Sequence, residues 1–204
     1  MRLGGTGIPA CSHLKATMRI VGGKYSSRTL KTLRGLALRP TSDRLRETLF
    51  NILGPTIEGA IFVDLYAGTG AVGIEALSRG AREVVLIEKH AKAAALIRKN
   101  LQSLGIVGGV ELLATDAVRG LEWLVARRAH AHFVFLDPPY AQADEYERAL
   151  DFLDRSPLLT PGGRVIVEHR KRAAMPERLS QLERVRMVTQ GDAALSFYGL
   201  ALAA

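Results

Sequence analysis

From Ile61 onward the hydrophobic positions follow two alternating rhythms. Short unbroken apolar runs, Ile61-Phe62-Val63, Val84-Val85-Leu86-Ile87, Phe133-Val134-Phe135-Leu136 and Val165-Ile166-Val167, have the length and β-branched content of strands buried on both faces. Between them the apolar residues recur every three to four positions. That spacing predicts helices over Gly70 to Arg79, Ala91 to Leu104, Val118 to Arg127 and Glu145 to Leu153. Gly80 and Gly105 supply the stops of the first two. A further strand, Val110 to Ala114, falls between the second and third helices. The strand Arg164 to Glu168 is entered through the turn Pro161-Gly162-Gly163. Val185 to Thr189 and Ala194 to Tyr198, joined by Gly191-Asp192, read as a closing antiparallel hairpin. Apolar strands alternating with helices imply a doubly wound, mostly parallel α/β sheet covered on both faces.

Upstream the rhythm changes. Residues 1–17 show neither periodicity nor turn logic, and Met18 opens a more structured stretch, so they read as a disordered leader or a mis-called start. Residues 18–56 form a small N-terminal extension. It holds β-like pieces at Arg19-Ile20-Val21 and Arg28-Thr29-Leu30, broken by Gly22-Gly23 and Gly35. A helix follows, capped by Thr41 or Ser42, with Leu45, Leu49, Ile52 and Leu53 at helical spacing until Gly54-Pro55 stops it. Residues 57–204 carry the α/β unit.

Charge changes the picture for that extension. Net charge over the chain is +8, and eight basic residues lie between Arg19 and Arg46 against the single acid Asp43. A second cluster, Arg170-Lys171-Arg172, follows a late strand. A one-sign run can be a merely solvated face, but its concentration points to a polyanion, with nucleic acid the natural partner. Arg19, Lys24, Arg28, Arg39, Arg44 and Arg46 are the candidate phosphate contacts. Hydrophobic residues at 48% and charged residues at 24% are ordinary globular proportions, and no apolar run approaches the ~20 residues a bilayer requires. Cys11 is the only cysteine, which excludes an internal disulfide, and the histidines show no metal-ligand spacing. A cytoplasmic, metal-free monomer is the expectation.

Two motifs carry the chemistry. Asp137-Pro138-Pro139-Tyr140 stands directly after a buried apolar strand. Its prolines fix φ and donate no N–H, so carbonyls remain there to accept, beside a carboxylate and a flat ring. An exocyclic amine on a base is a poor nucleophile because its lone pair is delocalised into the ring. The Asp137 carboxylate and the Pro138 carbonyl could hold its hydrogens and pull it towards tetrahedral geometry, while Tyr140 stacks on the base for ~1–3 kcal/mol. The bland alternative is a strand-ending turn with a helix-capping Asp.

Seventy-three residues before Asp137, Asp64-Leu65-Tyr66-Ala67-Gly68-Thr69-Gly70 opens a glycine turn, and Gly68 to Gly73 matches G-x-G-x-x-G. Taken alone this also fits a dinucleotide. Asp64 at the turn entrance would repel a pyrophosphate and attract a sulfonium or α-amino group, which favours S-adenosylmethionine. Asp64, Glu88 and Asp116 end three successive strands, where ligands of open α/β sheets sit. Each has a plainer reading. Glu88 could be a surface acid paired with Lys89 or Lys92, Asp116 a helix cap, and Asp64 a turn residue. Trp123 suits the core, and Tyr198 could line a pocket or fill the hairpin.

Several segments together resemble the bacterial 16S rRNA guanine-N2 methyltransferases of the small ribosomal subunit. They are Met18-Arg19-Ile20-Val21-Gly22-Gly23-Lys24, Leu38 to Asn51, Asp64 to Gly70, Glu75-Ala76-Leu77-Ser78-Arg79-Gly80-Ala81 and Leu136 to Tyr140. Arg39-Pro40-Thr41-Ser42-Asp43-Arg44-Leu45-Arg46-Glu47 is far more specific than the glycine turn, which related folds share. The resemblance implies a Rossmann-like class I methyltransferase that transfers a methyl group from S-adenosylmethionine to N2 of one guanine in 16S rRNA, within a 30S subunit or assembly intermediate. It implies that Asp64, Gly68 and Gly70 line the methionine part of the cofactor, Glu88 the ribose and Asp116 the adenine, with Tyr66 also at the cofactor. Asp137, Pro138, Pro139 and Tyr140 would hold the guanine. An N6-adenine DNA methyltransferase shares the Asp-Pro-Pro-Tyr segment but usually needs a target-recognition region for which this chain has little room. A nicotinamide oxidoreductase would need a proton-donating pair that is not seen, and a non-catalytic rRNA-binding assembly factor would not need the strand-end acids.

Overall fold

The computed structural model describes residues 18–32, 43–139 and 143–201. Residues 1–17, Arg39, Tyr140 and the helix cap expected at Thr41 or Ser42 lie outside them. Along the chain come β1 (Met18–Arg19), β2 (Thr29–Leu30), α1 (Asp43–Leu53) and a 3-10 turn (Gly54–Ile57). Then follow β3 (Ile61–Leu65), α2 (Ala71–Ser78), β4 (Glu83–Ile87), α3 (Ala91–Leu104), β5 (Val110–Leu113), α4 (Ala117–Ala126), β6 (Ala131–Leu136) and α5 (Ala143–Arg155). The chain closes with β7 (Leu159–Arg170), β8 (Leu182–Gln190) and β9 (Ala193–Leu200).

The apolar runs pair into a seven-stranded sheet of order β5-β4-β3-β6-β7-β9-β8. Strands β5, β4, β3, β6 and β7 are parallel, while β9 is antiparallel to both β7 and β8. This is the arrangement the rhythm of the sequence predicts. The last parallel strand differs from expectation, because β7 begins at Leu159. Pro161-Gly162-Gly163 therefore lies inside it, at an irregularity where the β6 register shifts between Ala131 and Phe133.

Alternation along the central strands feeds two cores. Phe62, Val84, Leu86, Phe133 and Phe135 face α1 and α2, with Phe62 linking Phe50 and Phe133 at centroid distances of 6.0 and 6.3 Å. Val63, Leu65, Val85, Ile87, Val134 and Leu136 face Leu121 and Leu124 of α4 and Leu150 and Leu153 of α5. Tyr198 is fully buried in this second layer and its hydroxyl donates to the Pro176 carbonyl, which decides its reading as core. No helix among the described residues is long and apolar enough to cross a membrane.

The basic arm is clamped to the α/β unit by buried polar side chains. Glu75, fully buried in α2, accepts from the Val21 and Gly22 N–H groups at 2.7 Å each and pairs with Arg79 at 2.8 Å. Ser78 accepts from Tyr25 N–H and donates to the Gly22 carbonyl. Asn100 of α3 accepts from Lys31 N–H at 2.9 Å, and its amide nitrogen donates to the carbonyls of Lys31 and Thr69. Apolar contact completes the seat: Met18, Ile20 and Leu30 pack on Ala71, Ile74 and Leu104.

Arg46 corrects a sequence expectation. Its side chain is 0% exposed, donates to the Arg19 carbonyl, and pairs with Asp43 at 2.8 Å. Burial lowers its pKa from the usual arginine value, with Asp43 acting against that. It ties α1 to the arm and cannot reach a phosphate. Its neighbour Arg44, like Arg19, Lys24 and Arg28, is exposed.

Candidate active site at the carboxyl edge of the sheet

Chain order reverses between β3 and β6. From β3 the chain steps outward through β4 to β5, and then crosses back to β6 on the other side of β3. A crevice at the carboxyl ends of the strands is the consequence of such a switch. Leu65 pairs with Leu136 in the β3–β6 register. Tyr66 and Asp137 therefore leave their strands at the same level, side by side. The glycine turn and the Asp-Pro-Pro segment are placed together by two strands whose residues are 71 positions apart in sequence, a separation the register Leu65↔Leu136 closes.

The turn is held under left-handed backbone. Tyr66, Gly68 and Gly70 have φ of 67°, 57° and 78°. Glycine adopts this freely, whereas a non-glycine residue in a sparsely populated region costs on the order of 1–3 kcal/mol and needs surroundings that enforce it. Tyr66 is held by its hydroxyl, which donates to Glu145 at 2.9 Å across to α5. Burial and the Glu145 carboxylate raise its pKa well above the ordinary phenol value, so it stays a donor. Glu145 in turn lies 3.6 Å from both Lys89 and Arg148, and Arg148 reaches Asp116 at 4.0 Å.

Gly73 explains how α2 sits so close to the sheet. A Cβ built there would meet Leu86 Cδ2 at 2.3 Å and Val84 Cγ1 at 2.9 Å. Its N–H donates to Asp64 Oδ2 at 2.9 Å. Asp64 is 2% exposed, and burial pushes its pKa up to about 7; the Gly73 N–H opposes this and nearby Glu88 adds to it. Near neutral pH the group is thus poised between its two forms, and a cation in the crevice would favour the carboxylate.

Glu88 is not a surface acid. It is 4% exposed, accepts from Gly68 N–H at 2.8 Å through Oε2, and accepts from His90 N–H at 2.7 Å through Oε1. It fixes the glycine turn from the neighbouring strand, and each oxygen keeps a further lone-pair direction for a hydroxyl donor. Asp116 does cap α4: its Oδ1 accepts from Val118 and Arg119 N–H groups. Asp64 is the last residue but one of β3, Glu88 follows β4 directly and Asp116 stands three residues beyond β5, so acidic side chains gather near the carboxyl ends of three adjacent strands. Such a grouping suits a ligand rich in ammonium and hydroxyl donors and repels a pyrophosphate, which fits S-adenosylmethionine better than a dinucleotide.

On the other side of the switch, Asp137 and Pro139 are half-buried and Pro138 is buried. The Pro138 carbonyl accepts from the Tyr146 hydroxyl at a long 3.4 Å, and the same hydroxyl lies 3.2 Å from the Glu168 carbonyl. Tyr146 braces the segment from α5. Sequence reading passes over Tyr146, Glu145, Asn100 and Glu75. For the last two a signal exists: each is a polar residue on an otherwise apolar helical stripe, Glu75 within Ala71–Ser78 and Asn100 between Ile97 and Leu104. Among the described residues no group of three or more His, Cys, Asp or Glu side chains could hold a metal ion.

Comparison with known proteins gives a consistent result. The family model described as conserved hypothetical protein 95 matches residues 18–199. Ribosomal RNA small subunit methyltransferase D of Haemophilus influenzae is 36% identical over 161 residues, covering 78% of this chain and 82% of that protein. The protein of the same name from Escherichia coli strain K12 is 35% identical over 159 residues, 78% of each chain. Among solved structures, a hypothetical protein from Thermus thermophilus superposes with TM-score 0.75 at 30% identity, covering 88% of this chain and 98% of that one. A 16S rRNA N2 G1207 methyltransferase from T. thermophilus, in complex with AdoMet and guanosine, shares the fold with TM-score 0.72 at 20% identity, over 91% of this chain and 50% of that one.

Proposed function

Since the chain belongs to the family of the bacterial small-subunit ribosomal RNA methyltransferases D, we propose that it methylates the exocyclic N2 of one guanine in 16S rRNA, presented on a 30S particle or assembly intermediate to a single copy of the enzyme. Bound S-adenosylmethionine supplies a methyl group on a positively charged sulfur. The rest is the work of this chain's own residues. Glu88 holds the turn 66–70 through the Gly68 N–H, Gly73 fixes Asp64, and Asp64, Glu88 and Asp116 offer acceptors to the donor's amine and hydroxyls. Asp137 and the Pro138 carbonyl hold the two hydrogens of the guanine amine, so that its lone pair turns towards the glycine turn. Tyr140, next along the chain, gives the base a face to stack on.

The observation that carries this reading is the shared level of Tyr66 and Asp137, set by Leu65 opposite Leu136. It sets the glycine turn beside the Asp-Pro-Pro segment, which supports reading them as the donor and amine-holding sites; orientation of that kind is worth about 7–11 kcal/mol of barrier. The test is to incubate the protein with radiolabelled S-adenosylmethionine and 30S particles or 16S rRNA from an unmodified strain, and map the labelled nucleoside. N2-methylguanosine at one position is the expected product. Label on adenine, or on no nucleoside, would refute the assignment.

A further inference from the structure

Resting on the reading of rRNA as substrate, we propose that the outer face of α3 is a second phosphate-binding surface, continuous with the N-terminal arm. From Lys89 to Val110 the chain contains no acid, and it carries Lys89, Lys92, Arg98 and Lys99. Residues 18–32 likewise contain no acid and carry Arg19, Lys24, Arg28 and Lys31. The fold sets these two stretches against each other. The Arg28 guanidinium donates to the Ser103 carbonyl at 3.1 Å, Asn100 grips the Lys31 backbone, and Leu30 packs with Leu104.

Burial divides α3 cleanly. Ala93, Ala94, Leu96, Ile97, Asn100 and Leu104 face inward, which leaves Lys92, Arg98 and Lys99 exposed with the small Ala91 and Ala95 beside them. At about 1.5 Å per residue, Lys92 and Lys99 stand roughly 10 Å apart along the helix. The helix starts just beyond Glu88 at the carboxyl edge, so its cations run from the crevice lip towards the arm. None of the ion pairs among the described residues involves Lys92, Arg98 or Lys99.

α5 shows what an ordinary solvated helix of this protein looks like. Its cations Arg148 and Arg155 each pair with an acid of the same helix, Glu145 and Asp151, at helical spacing. Mixed signs and i,i+3 or i,i+4 pairing are the usual arrangement for a face that meets only water. Lys92, Arg98 and Lys99 form a one-sign face whose mutual repulsion a polyanion would relieve. A phosphate backbone, with its regular charges and released counterions, is the chemistry that fits.

The test replaces Lys92, Arg98 and Lys99 together by alanine, a strong helix former that keeps α3 intact. Log affinity for 16S rRNA is measured against log salt for the wild type, this triple variant and an Arg155→Ala control. The triple variant should lose about 2 from the salt slope, since each phosphate contact contributes roughly 0.7–0.9. Its KM for rRNA should rise several-fold while kcat and the thermal shift given by S-adenosylmethionine stay at wild-type values; the control should change none of these. A folded, cofactor-binding triple variant with the wild-type slope would overturn the proposal. The slope reads this surface whether or not methyl is transferred. Wild-type protein that binds rRNA but labels no guanine would therefore count against the enzymatic reading alone.

Discussion

The two charged regions of this molecule are built on opposite terms. At the carboxyl edge, Asp64 and Glu88 are buried and accept hydrogen bonds from backbone N–H groups of the glycine turn or its flanks. On the arm and α3 the cations stand in solvent, and Arg98, Lys99 and Lys92 have no acid of the described residues as an ion-pair partner. Buried carboxylates with fixed partners give position. Exposed cations give reach and salt-sensitive attraction but little geometry. Under the proposed function, the first construction would serve a small ligand needing sub-ångström placement and the second a long polyanion needing capture. Arg46 and Arg44 show the contrast within two residues: one is sealed under the arm and one is open.

Breaking the fixed region should cost most. Asp137→Ala should lower rRNA labelling by about 100-fold or more, the scale on which a misplaced reacting group is penalised, with the cofactor-induced thermal shift retained. Labelling within a few-fold of wild type would show that Asp137 does not hold the amine. Arg46→Ala removes a buried donor from Asp43 and the Arg19 carbonyl, so unfolding stability should drop by about 1–3 kcal/mol in urea titrations, with the rRNA salt slope preserved. Gly73→Ala forces a methyl group against Leu86 and Val84, for a loss of similar size, about 1–3 kcal/mol, and should weaken cofactor binding as the helix shifts off Asp64.

A pH titration sharpens the same contrast. Asp64 binds its proton up to about pH 7 in the folded protein against 3.8 ordinarily. Between those values the native state holds a proton that the unfolded chain releases, so this group's contribution makes stability fall as pH rises through the window. Cofactor affinity moves the other way. A cationic ligand favours the carboxylate, so binding should tighten with rising pH up to about 7 and level off above it. Isothermal titration at pH 5.5, 6.5 and 7.5 should see that trend in the wild type and lose it in Asp64→Asn. The smallest effect belongs to the open region: Arg44→Ala should reduce the rRNA salt slope by roughly 1 and leave the urea midpoint unchanged.

How far the sequence reaches follows the same division. The alternation of apolar runs and helical stripes is sufficient for the parallel sheet, because period and burial are local properties: α3 is expected over Ala91 to Leu104 and is found there. The positions of Asp64, Glu88 and Asp116 near strand ends are legible, because pattern alone locates the strands. What pattern cannot show is which partner a polar side chain meets. Arg46 and Arg44 are indistinguishable in a charge count, and only the docking of α1 on the arm separates them. Asp116 is a helix cap, a role the sequence leaves open beside adenine recognition. Tyr146 and Glu145 reach back to the crevice from a helix after the Asp-Pro-Pro segment, a tertiary contact with no local signature.

Asn100 matters finally for what it joins. One buried amide hangs the exit of the arm at Lys31 and the carbonyl of Thr69 in the glycine turn from a single side chain. Losing either contact would leave part of this buried amide without its partner, so the arm and the turn are anchored to the same point of α3.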